Sequence, residues 1–191
     1  MPVSFRPMRA EDKEQFTNLL RSLPSKDNYY LLVDVNNDRT IQRWMDGVES
    51  GQIISMVALE GGHMVGYCNL RINDPSWIRH VGEIRMSVSA AHRGEGIGRI
   101  LAGKIFAIAR ARGIQKLWVR MAISQAAAQV VFQNLGFRTE ALLSDFVKNE
   151  NGSTESLVIM SHDFGVLRQS KRRPVVSAQR GIERGGPVLK L

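Results

Sequence analysis

Apolar and polar residues alternate along several short stretches of the chain, which is the pattern of half-buried β-strands. Two of these stretches flank Gly61-Gly62, and a pair of glycines between alternating runs predicts the tight turn of a β-hairpin. The last two stretches are close enough in sequence to form a second hairpin. Strands are predicted at residues 3–8, 53–59, 64–71, 81–88, 116–121, 139–147 and 155–162.

Four other stretches carry apolar residues every three or four positions, which predicts amphipathic helices. They cover residues 11–23, 40–50, 97–112 and 124–135. Pro24 and Gly113 are expected to end the first and the third helix, and Thr40 is expected to cap the second. The elements then follow the order β-α-α-β-β-β-α-β-α-β-β. This order predicts an α/β (α+β) fold, with one mixed sheet and helices on both faces.

The densest chemical signal lies where the strand at 81–88 leads into the helix at 97–112. Arg93, Gly94, Glu95, Gly96, Ile97, Gly98 and Arg99 follow one another there. Three glycines in five residues leave main-chain N–H groups uncovered at the positive end of the helix dipole. The Arg93 guanidinium adds a charge and a planar set of donors that suits phosphate oxygens. We therefore interpret this turn as a diphosphate-binding site. The alternative is a glycine-rich turn without a ligand.

The spacing of the glycines narrows the class of diphosphate. Gly98 is followed by Arg99 and Ile100, so the Gly-Lys-Ser/Thr ending of a nucleotide-binding P-loop is missing. The glycines give G-x-G-x-G instead of the dinucleotide pattern G-x-G-x-x-G. The run does fit [Arg/Gln]-x-x-Gly-x-[Gly/Ala], with Arg93, Gly96 and Gly98 at the fixed positions. That pattern resembles the acyl-CoA-binding motif of the GNAT superfamily of N-acetyltransferases.

The resemblance extends over residues 3–163. Where family members often carry Asn, Ala, Tyr and Gly-Phe on the helix beside the cofactor, this chain has Gln125, Ala128, Phe132 and Gly136-Phe137. The runs at 30–34, 83–88 and 157–162 are similar to a bacterial subgroup without a settled substrate. The resemblance implies a mostly antiparallel central sheet, acetyl-CoA as cosubstrate, no metal, and transfer of an acetyl group to a primary amine in a ternary complex. It also implies that the backbone of Met86, Ser87 and Val88 contacts pantetheine and the thioester.

Glu83 is the candidate general base that the resemblance implies. It lies five residues before Val88, and it shares strand parity with Arg85 and Ser87. Acetylation requires a neutral amine, so a carboxylate at this position could accept the proton directly or through water. The alternative is an exposed carboxylate that pairs with Arg85 or His80.

Phe132 stands where family members commonly carry the tyrosine that is proposed to protonate the leaving thiolate, and phenylalanine has no proton to give. Ser87, Tyr29 or Tyr30 could replace it, the thiolate could leave unassisted, or catalysis is impaired. Gln125 offers the amide groups of the usual asparagine, one methylene further out. The aromatic residues that the resemblance implies for the acceptor side are Tyr29, Tyr30, Trp44 and Trp77.

The basic charge of the chain is concentrated near its C-terminus. Seven of the 26 basic residues and one of the 18 acidic residues lie in 164–191, so this segment contributes +6 of the net charge of +8. We expect residues 1–163 to form the acetyltransferase domain and residues 164–191 to form a flexible tail. Nucleic-acid binding by the domain is then not expected, although a role of the tail in such binding stays open. A homodimer is expected from the resemblance.

One cysteine, Cys68, excludes an internal disulfide and a cysteine-rich zinc site. It is expected to be a buried, inert side chain. The histidines lack metal-ligand spacing, and no signal peptide or membrane span is recognisable, which favours the cytoplasm. The leading hypothesis is an acetyl-CoA-dependent N-acetyltransferase. Its rival, prompted by Phe132, is a non-catalytic acyl-CoA-binding sensor or scaffold.

Overall fold

The computed structural model describes residues 2–25, 27, 30, 31, 34–72 and 76–165. Tyr29 and the tail from residue 166 onward lie outside these residues. Within them, the helices and strands follow the predicted order. The strands are β1 Val3–Pro7, β2 Ile53–Glu60, β3 His63–Ile72, β4 Val81–Val88, β5 Lys116–Ala122, β6 Arg138–Lys148 and β7 Thr154–Asp163. The helices are α1 Lys13–Ser22, α2 Asp38–Glu49, α3 Ile97–Ala111 and α4 Ala126–Asn134.

The strands form one seven-stranded sheet in the order β1-β2-β3-β4-β5-β7-β6. All neighbouring strands are antiparallel except β4 and β5, which are parallel. The expected mixed, mostly antiparallel sheet is therefore confirmed. The parallel pair forms because α3 carries the chain back across the sheet between β4 and β5.

The start of α2 differs from the prediction. Thr40 lies inside the helix, and Asn37 is the cap, since its side-chain oxygen accepts a hydrogen bond from the Arg39 N–H at 3.1 Å. Asparagine caps helices better than threonine does, so the helix begins two residues earlier than the apolar pattern indicates.

Each face of the sheet packs against one pair of helices, as predicted. Phe16, Trp44 and Tyr67 form a compact aromatic group between α1, α2 and β3, with ring centroids 5.1–6.1 Å apart. We call this side the α1/α2 face. On the other side, which we call the α3/α4 face, Leu101 and Ile105 pack on the sheet together with Phe132. Side chains alternate between the two faces along each strand, so β4 directs Glu83, Arg85 and Ser87 to the side opposite Ile84.

The parallel strands β4 and β5 separate halfway along their length. Their pairing begins at Val81 with Lys116 and ends at Glu83 with Trp118. Beyond Glu83, β4 continues to Val88 and stays paired with β3 alone among the described strands. An opening therefore forms in the middle of the sheet, next to the start of α3.

Phe164 packs against the α3/α4 face, although it lies in the segment predicted to be a flexible tail. Its N–H donates to the Gln115 carbonyl at 3.0 Å, and its ring lies edge-on to Phe106 with centroids 5.8 Å apart. The Arg110 guanidinium lies 4.9 Å from the ring centroid. The packed part of the chain therefore extends past residue 163.

Candidate functional site

A large cleft occupies the opening between β4 and β5. Its volume is about 1510 Å³, and it runs from the turn before α3 to the α1/α2 face. It is lined by α4, by the loop that precedes α4 and by the end of the β6–β7 hairpin, which contacts this loop. The described residues that line the cleft include most of those singled out by the sequence: Glu83, Met86, Ser87, Val88, Arg93, Gly94, Gly96, Ile97, Gly98, Arg99, Gln125, Ala128 and Phe132.

Two predicted positions lie elsewhere. Glu95 is exposed and is not among the residues that line the cleft. Trp77 is 77% exposed and does not line the cleft either, so it is not part of the surface expected to contact the acceptor. Trp77 lies outside the cleft because it belongs to the 3-10 turn Ser76–Ile78, which precedes β4 and is not part of the sheet.

The turn before α3 has the backbone that its glycines predict. Gly94 and Gly96 have φ values of 85° and 79°, in the left-handed region that other residues adopt at a cost. Gly96 is the N-cap of α3, so the N–H groups of Ile97, Gly98 and Arg99 have no acceptor within the helix. These donors and the helix dipole favour an anion at this end of the cleft.

Gly98 lies beside the Met86 side chain of β4. A Cβ atom at this position would be in ordinary van der Waals contact with the Met86 sulfur, at 3.4 Å. The free edge of β4 and the turn both line the cleft, which suits a ligand with a phosphate end and an amide-bearing arm.

Arg93 is engaged differently from the prediction. Its Nε donates to the Val88 carbonyl at 3.3 Å, and its Nη2 donates to the Asp27 carboxylate at 2.7 Å. Asp27 belongs to the segment between α1 and α2, so a side chain of this protein holds the cation that the sequence assigns to phosphate.

Glu83 lies deep in the cleft and is only 7% exposed. The expected alternative of an exposed carboxylate is therefore wrong, because the Arg85 and Arg120 side chains lie against the Glu83 carboxylate. Its predicted pairing with Arg85 is present, with three N–O distances of 3.2–3.3 Å. A second guanidinium, that of Arg120, approaches Glu83 Oε1 at 3.5 Å from β5. Arg120 could not be found from the sequence, because strand pairing alone brings β5 beside β4.

Tyr67 is a further cleft residue that sequence reasoning missed. It lies on β3 directly opposite Ser87, and a side-chain hydrogen bond joins the two. Burial raises the pKa of Tyr67 to about 12, although the hydrogen bond to Ser87 acts in the opposite direction. The phenol thus keeps its proton at physiological pH and can serve as a hydrogen-bond donor beside Ser87 in the cleft.

Gln125 and Tyr30 line the cleft near the end of β5 and the loop that precedes α4. The Gln125 side-chain oxygen accepts from the Ala122 N–H at 3.0 Å, which fixes the amide at the junction of β5 and α4. The Tyr30 hydroxyl donates to the Glu155 carboxylate and lies 3.2 Å from the Ser124 hydroxyl. The hydrogen bond from Tyr30, together with those from Ser124, lowers the pKa of Glu155. The segment between α1 and α2 therefore contacts both sides of the cleft, through Asp27 and through Tyr30.

Phe132 and Cys68 are apolar parts of the structure. Phe132 is 5% exposed and packs edge-on against Phe137, with centroids 5.1 Å apart. Cys68 is fully buried in the core of the α3/α4 face, as expected, and burial raises the pKa of its thiol. No thiol nucleophile is therefore available in the cleft, since Cys68 is the one cysteine of the chain.

Two further properties concern the described residues as a group. They contain no cluster of three or more His, Cys, Asp or Glu side chains that could hold a metal ion. Among the described helices, none combines the length and the apolar character that crossing a membrane requires.

The chain is similar to several known proteins. It is 31% identical over 110 residues to the probable N-acetyltransferase family 8 member 5 of Mus musculus, a match over 56% of this chain and 48% of that protein. The match thus spans about half the length of that curated relative. The structure of a GNAT-family acetyltransferase from Streptococcus pneumoniae superposes with a TM-score of 0.73 at 19% identity, over 85% of this chain and 99% of the other.

A putative acetyltransferase from Salmonella typhimurium, YncA, has been solved with its cofactor acetyl-CoA. It superposes with a TM-score of 0.68 at 20% identity, over 84% of this chain and 93% of the other. The family model that matches is Acetyltransferase (GNAT), over residues 14–137, which is more than half of the chain. The predicted resemblance is confirmed: the chain belongs to the acetyltransferase (GNAT) family.

Proposed function

We propose that the protein is an acetyl-CoA-dependent N-acetyltransferase, which moves the acetyl group to a primary amine of a small molecule or a protein. The observation that carries this proposal is the cleft itself. It joins an anion-binding turn at Gly94–Gly98 to a carboxylate at Glu83 along the free edge of β4. A diphosphate, a pantetheine arm and an amine acceptor require these three features in this order.

The residues at the start of α3 fit the diphosphate end of acetyl-CoA. Gly94 and Gly96 have open space where side chains would begin, and the unpaired N–H groups of the first helical turn follow them. The edge of Met86–Val88 supplies backbone groups for the pantetheine amides, and Gln125, Ala128 and Phe132 form the facing wall. Acetyl-CoA supplies the activated acetyl group as a thioester.

Glu83 is proposed to accept the proton of the amine, directly or through water. The amine nitrogen forms a bond to the acetyl carbon, the carbon–sulfur bond breaks, and the sulfur leaves as the thiolate of CoA. A direct transfer in a ternary complex is favoured over a covalent cysteine intermediate, because Cys68 is buried away from the cleft. Since Phe132 cannot protonate the thiolate, the Ser87 hydroxyl, with Tyr67 opposite it on β3, is proposed as the group that donates a hydrogen bond to the leaving sulfur.

A second candidate is a non-catalytic acyl-CoA-binding protein. Phe132 favours it, because this residue lacks the hydroxyl of the tyrosine that is usual in the family. Its buried ring packs against Phe137 instead. Such a protein would use the turn and the edge of β4 but would not need Glu83.

The experiment that separates the two candidates measures release of the CoA thiol from acetyl-CoA with a panel of primary amines. Products are checked by mass spectrometry for the addition of one acetyl group. An N-acetyltransferase releases CoA in proportion to an acetylated product and only when an amine is present. Tight acetyl-CoA binding without release for any amine or amine-bearing peptide would contradict the proposal and support the sensor.

A further inference from the structure

Two oppositely charged side chains face each other across the opening between β4 and β5. Glu83 on β4 and Arg120 on β5 approach to 3.5 Å, and both line the cleft. Glu83 is nearly buried, whereas the Arg120 side chain is 38% exposed. The contact with Glu83 uses one of the five N–H donors that a guanidinium carries. Arg120 therefore has donors to offer to a ligand in the cleft.

The floor of the cleft around Glu83 has more cations and N–H donors than acceptors. Arg85 and Arg120 both pair with the single Glu83 carboxylate. Trp44 also lines the cleft, with its ring 5.9 Å from the Arg85 guanidinium carbon, and its buried indole N–H group has no partner among the described residues. The electrostatic potential at this position consequently favours a ligand that carries an anionic oxygen.

We propose that the acceptor is a free α-amino acid, with its amine at Glu83 and its carboxylate on the Arg120 guanidinium. This inference rests on the proposed function. In an α-amino acid one carbon carries both groups, so that the nitrogen and the nearer carboxylate oxygen are about 3 Å apart. The separation of Glu83 and Arg120 is close to that value, and the two side chains have the matching signs. A guanidinium binds a carboxylate in a planar, two-pronged arrangement, which fixes the direction of the amine.

The cleft that holds this pair also offers apolar surface to an amino-acid side chain. Trp44 lines the cleft, and the centroid of its ring lies 5.9 Å from the guanidinium carbon of Arg85, the partner of Glu83. Phe146 lines the cleft as well and is 62% exposed, which is unusual for a phenylalanine. An irregularity in the β6–β7 pairing precedes it, with Asp145 at a φ of 53°. An aliphatic or aromatic side chain that packs on such rings would gain from its own burial.

The test compares acceptors that differ in one group. Phenylalanine, phenylalaninamide and phenethylamine share the aromatic side chain and the amine. They differ at the α-carbon, where phenylalanine has a carboxylate, phenylalaninamide has a neutral amide and phenethylamine has neither. Alanine, alaninamide and ethylamine form the same series without the ring. The value of kcat/KM is measured for each with saturating acetyl-CoA. The variants are Arg120→Met, Arg120→Lys and, as a control, Arg138→Met, which replaces an exposed arginine on β6 outside the cleft.

The wild type is expected to prefer phenylalanine over both neutral analogues by about 10- to 100-fold, the range of one hydrogen-bonded charge pair. Arg120→Met is expected to reduce this ratio to near one, and Arg120→Lys is expected to fall between, because lysine keeps the charge and loses the planar donors. Arg138→Met is expected to keep the wild-type ratio. Thermal unfolding of each variant establishes that it is folded.

Four results would overturn the inference. A preference for phenylalaninamide would identify a peptide or protein N-terminus as the acceptor, and a preference for phenethylamine would identify a simple amine. Both would leave the proposed N-acetyltransferase in place. An unchanged ratio in folded Arg120→Met would remove Arg120 from carboxylate recognition. Absence of CoA release with every amine tested would overturn the proposed function together with the inference.

Discussion

Arg93 and Asp27 form an ion pair at 2.7 Å, between the candidate phosphate turn and the segment that joins α1 to α2. The Arg93 side chain is 47% exposed and the Asp27 side chain 27% exposed, so water can reach the pair. A carboxylate on the cation of an anion-binding turn competes with the anion that the turn would bind. Binding of a diphosphate is thus expected to compete with Asp27 for the Arg93 guanidinium.

The first prediction is that Asp27→Asn increases the affinity for CoA by about twofold to fivefold. The change removes the competing charge, and an exposed ion pair contributes about 0–1 kcal/mol. Calorimetric titration with CoA measures the effect. Asp34→Asn is the matched control, because it removes the same charge from the same segment at an exposed position that does not line the cleft. An equal or lower affinity in Asp27→Asn would show that Asp27 does not compete.

The second prediction is that Glu83→Gln lowers kcat by about 10²- to 10⁴-fold, which is the usual contribution of a general base. CoA affinity should stay almost unchanged, since Glu83 lies at the far end of the cleft from the turn before α3. Glutamine keeps the shape of the side chain and can still accept a hydrogen bond from Arg85. The pH–rate profile is the decisive measurement, with the exposed Glu49→Gln as control. A mutant profile identical to that of the wild type would remove Glu83 from the proton transfer.

The third prediction concerns stability and pH. Asp12 is 3% exposed and accepts two hydrogen bonds from the Arg6 guanidinium and one from the Arg9 N–H, all at 2.7 Å. The hydrogen bonds from Arg6 hold the pKa of Asp12 below its usual value of 3.8. A lowered pKa in the folded state means that the stabilisation is complete above pH 3.8 and is lost as the pH falls through the folded-state pKa.

Asp12→Asn is therefore expected to lower the free energy of unfolding by about 1.5–3 kcal/mol at pH 7. Urea denaturation of mutant and wild type at pH 7 and at pH 3 measures the difference. The difference should shrink at the lower pH. A difference that is the same at both pH values would show that the Asp12 charge is not the stabilising element.

The fourth prediction separates Phe164 from the tail that follows it. The composition of residues 170–191 predicts that their deletion changes neither the affinity for CoA nor the oligomeric state, which light scattering measures. Phe164→Ala in the shortened protein should cost about 1–3 kcal/mol, and so lower Tm by several degrees, because the ring is packed against Phe106 and Arg110. A shortened protein that becomes monomeric or loses CoA affinity would show that the tail is structural.

The sequence predicted the features that depend on local periodicity and local backbone conformation. The order of the elements follows from apolar spacing, and the turn before α3 follows from glycines that can adopt positive φ at Gly94 and Gly96. The strand parity of Glu83 and Arg85 follows from alternation. The expected family is confirmed by the match over residues 14–137. The acceptor, the catalytic role of Glu83, the homodimer and the cytoplasmic location stay predictions.

The remaining features depend on contacts between distant segments, which periodicity does not encode. Arg120 lies 37 positions after Glu83 in the sequence and reaches it because β5 pairs with the start of β4. The burial of Glu83 involves the same arginine, which lies against its carboxylate from the neighbouring strand. Asp27 is 66 positions from Arg93, and nothing in the sequence around either residue indicates the pair.

The most direct test of the account is a calorimetric titration of acetyl-CoA into the wild type, Gly96→Ala and Gly103→Ala. Gly96 has a φ of 79°, so a side chain there strains the turn and redirects its N–H groups, although no neighbouring atom lies within 4 Å of the added Cβ. Gly103 lies in the middle of α3 with equally open space, and alanine there should stabilise the helix. We predict tight binding to the wild type and to Gly103→Ala, with a loss of about fivefold to thirtyfold in Gly96→Ala, in line with a strain of about 1–2 kcal/mol. Equal affinity of all three proteins, or no binding by the wild type, would contradict it.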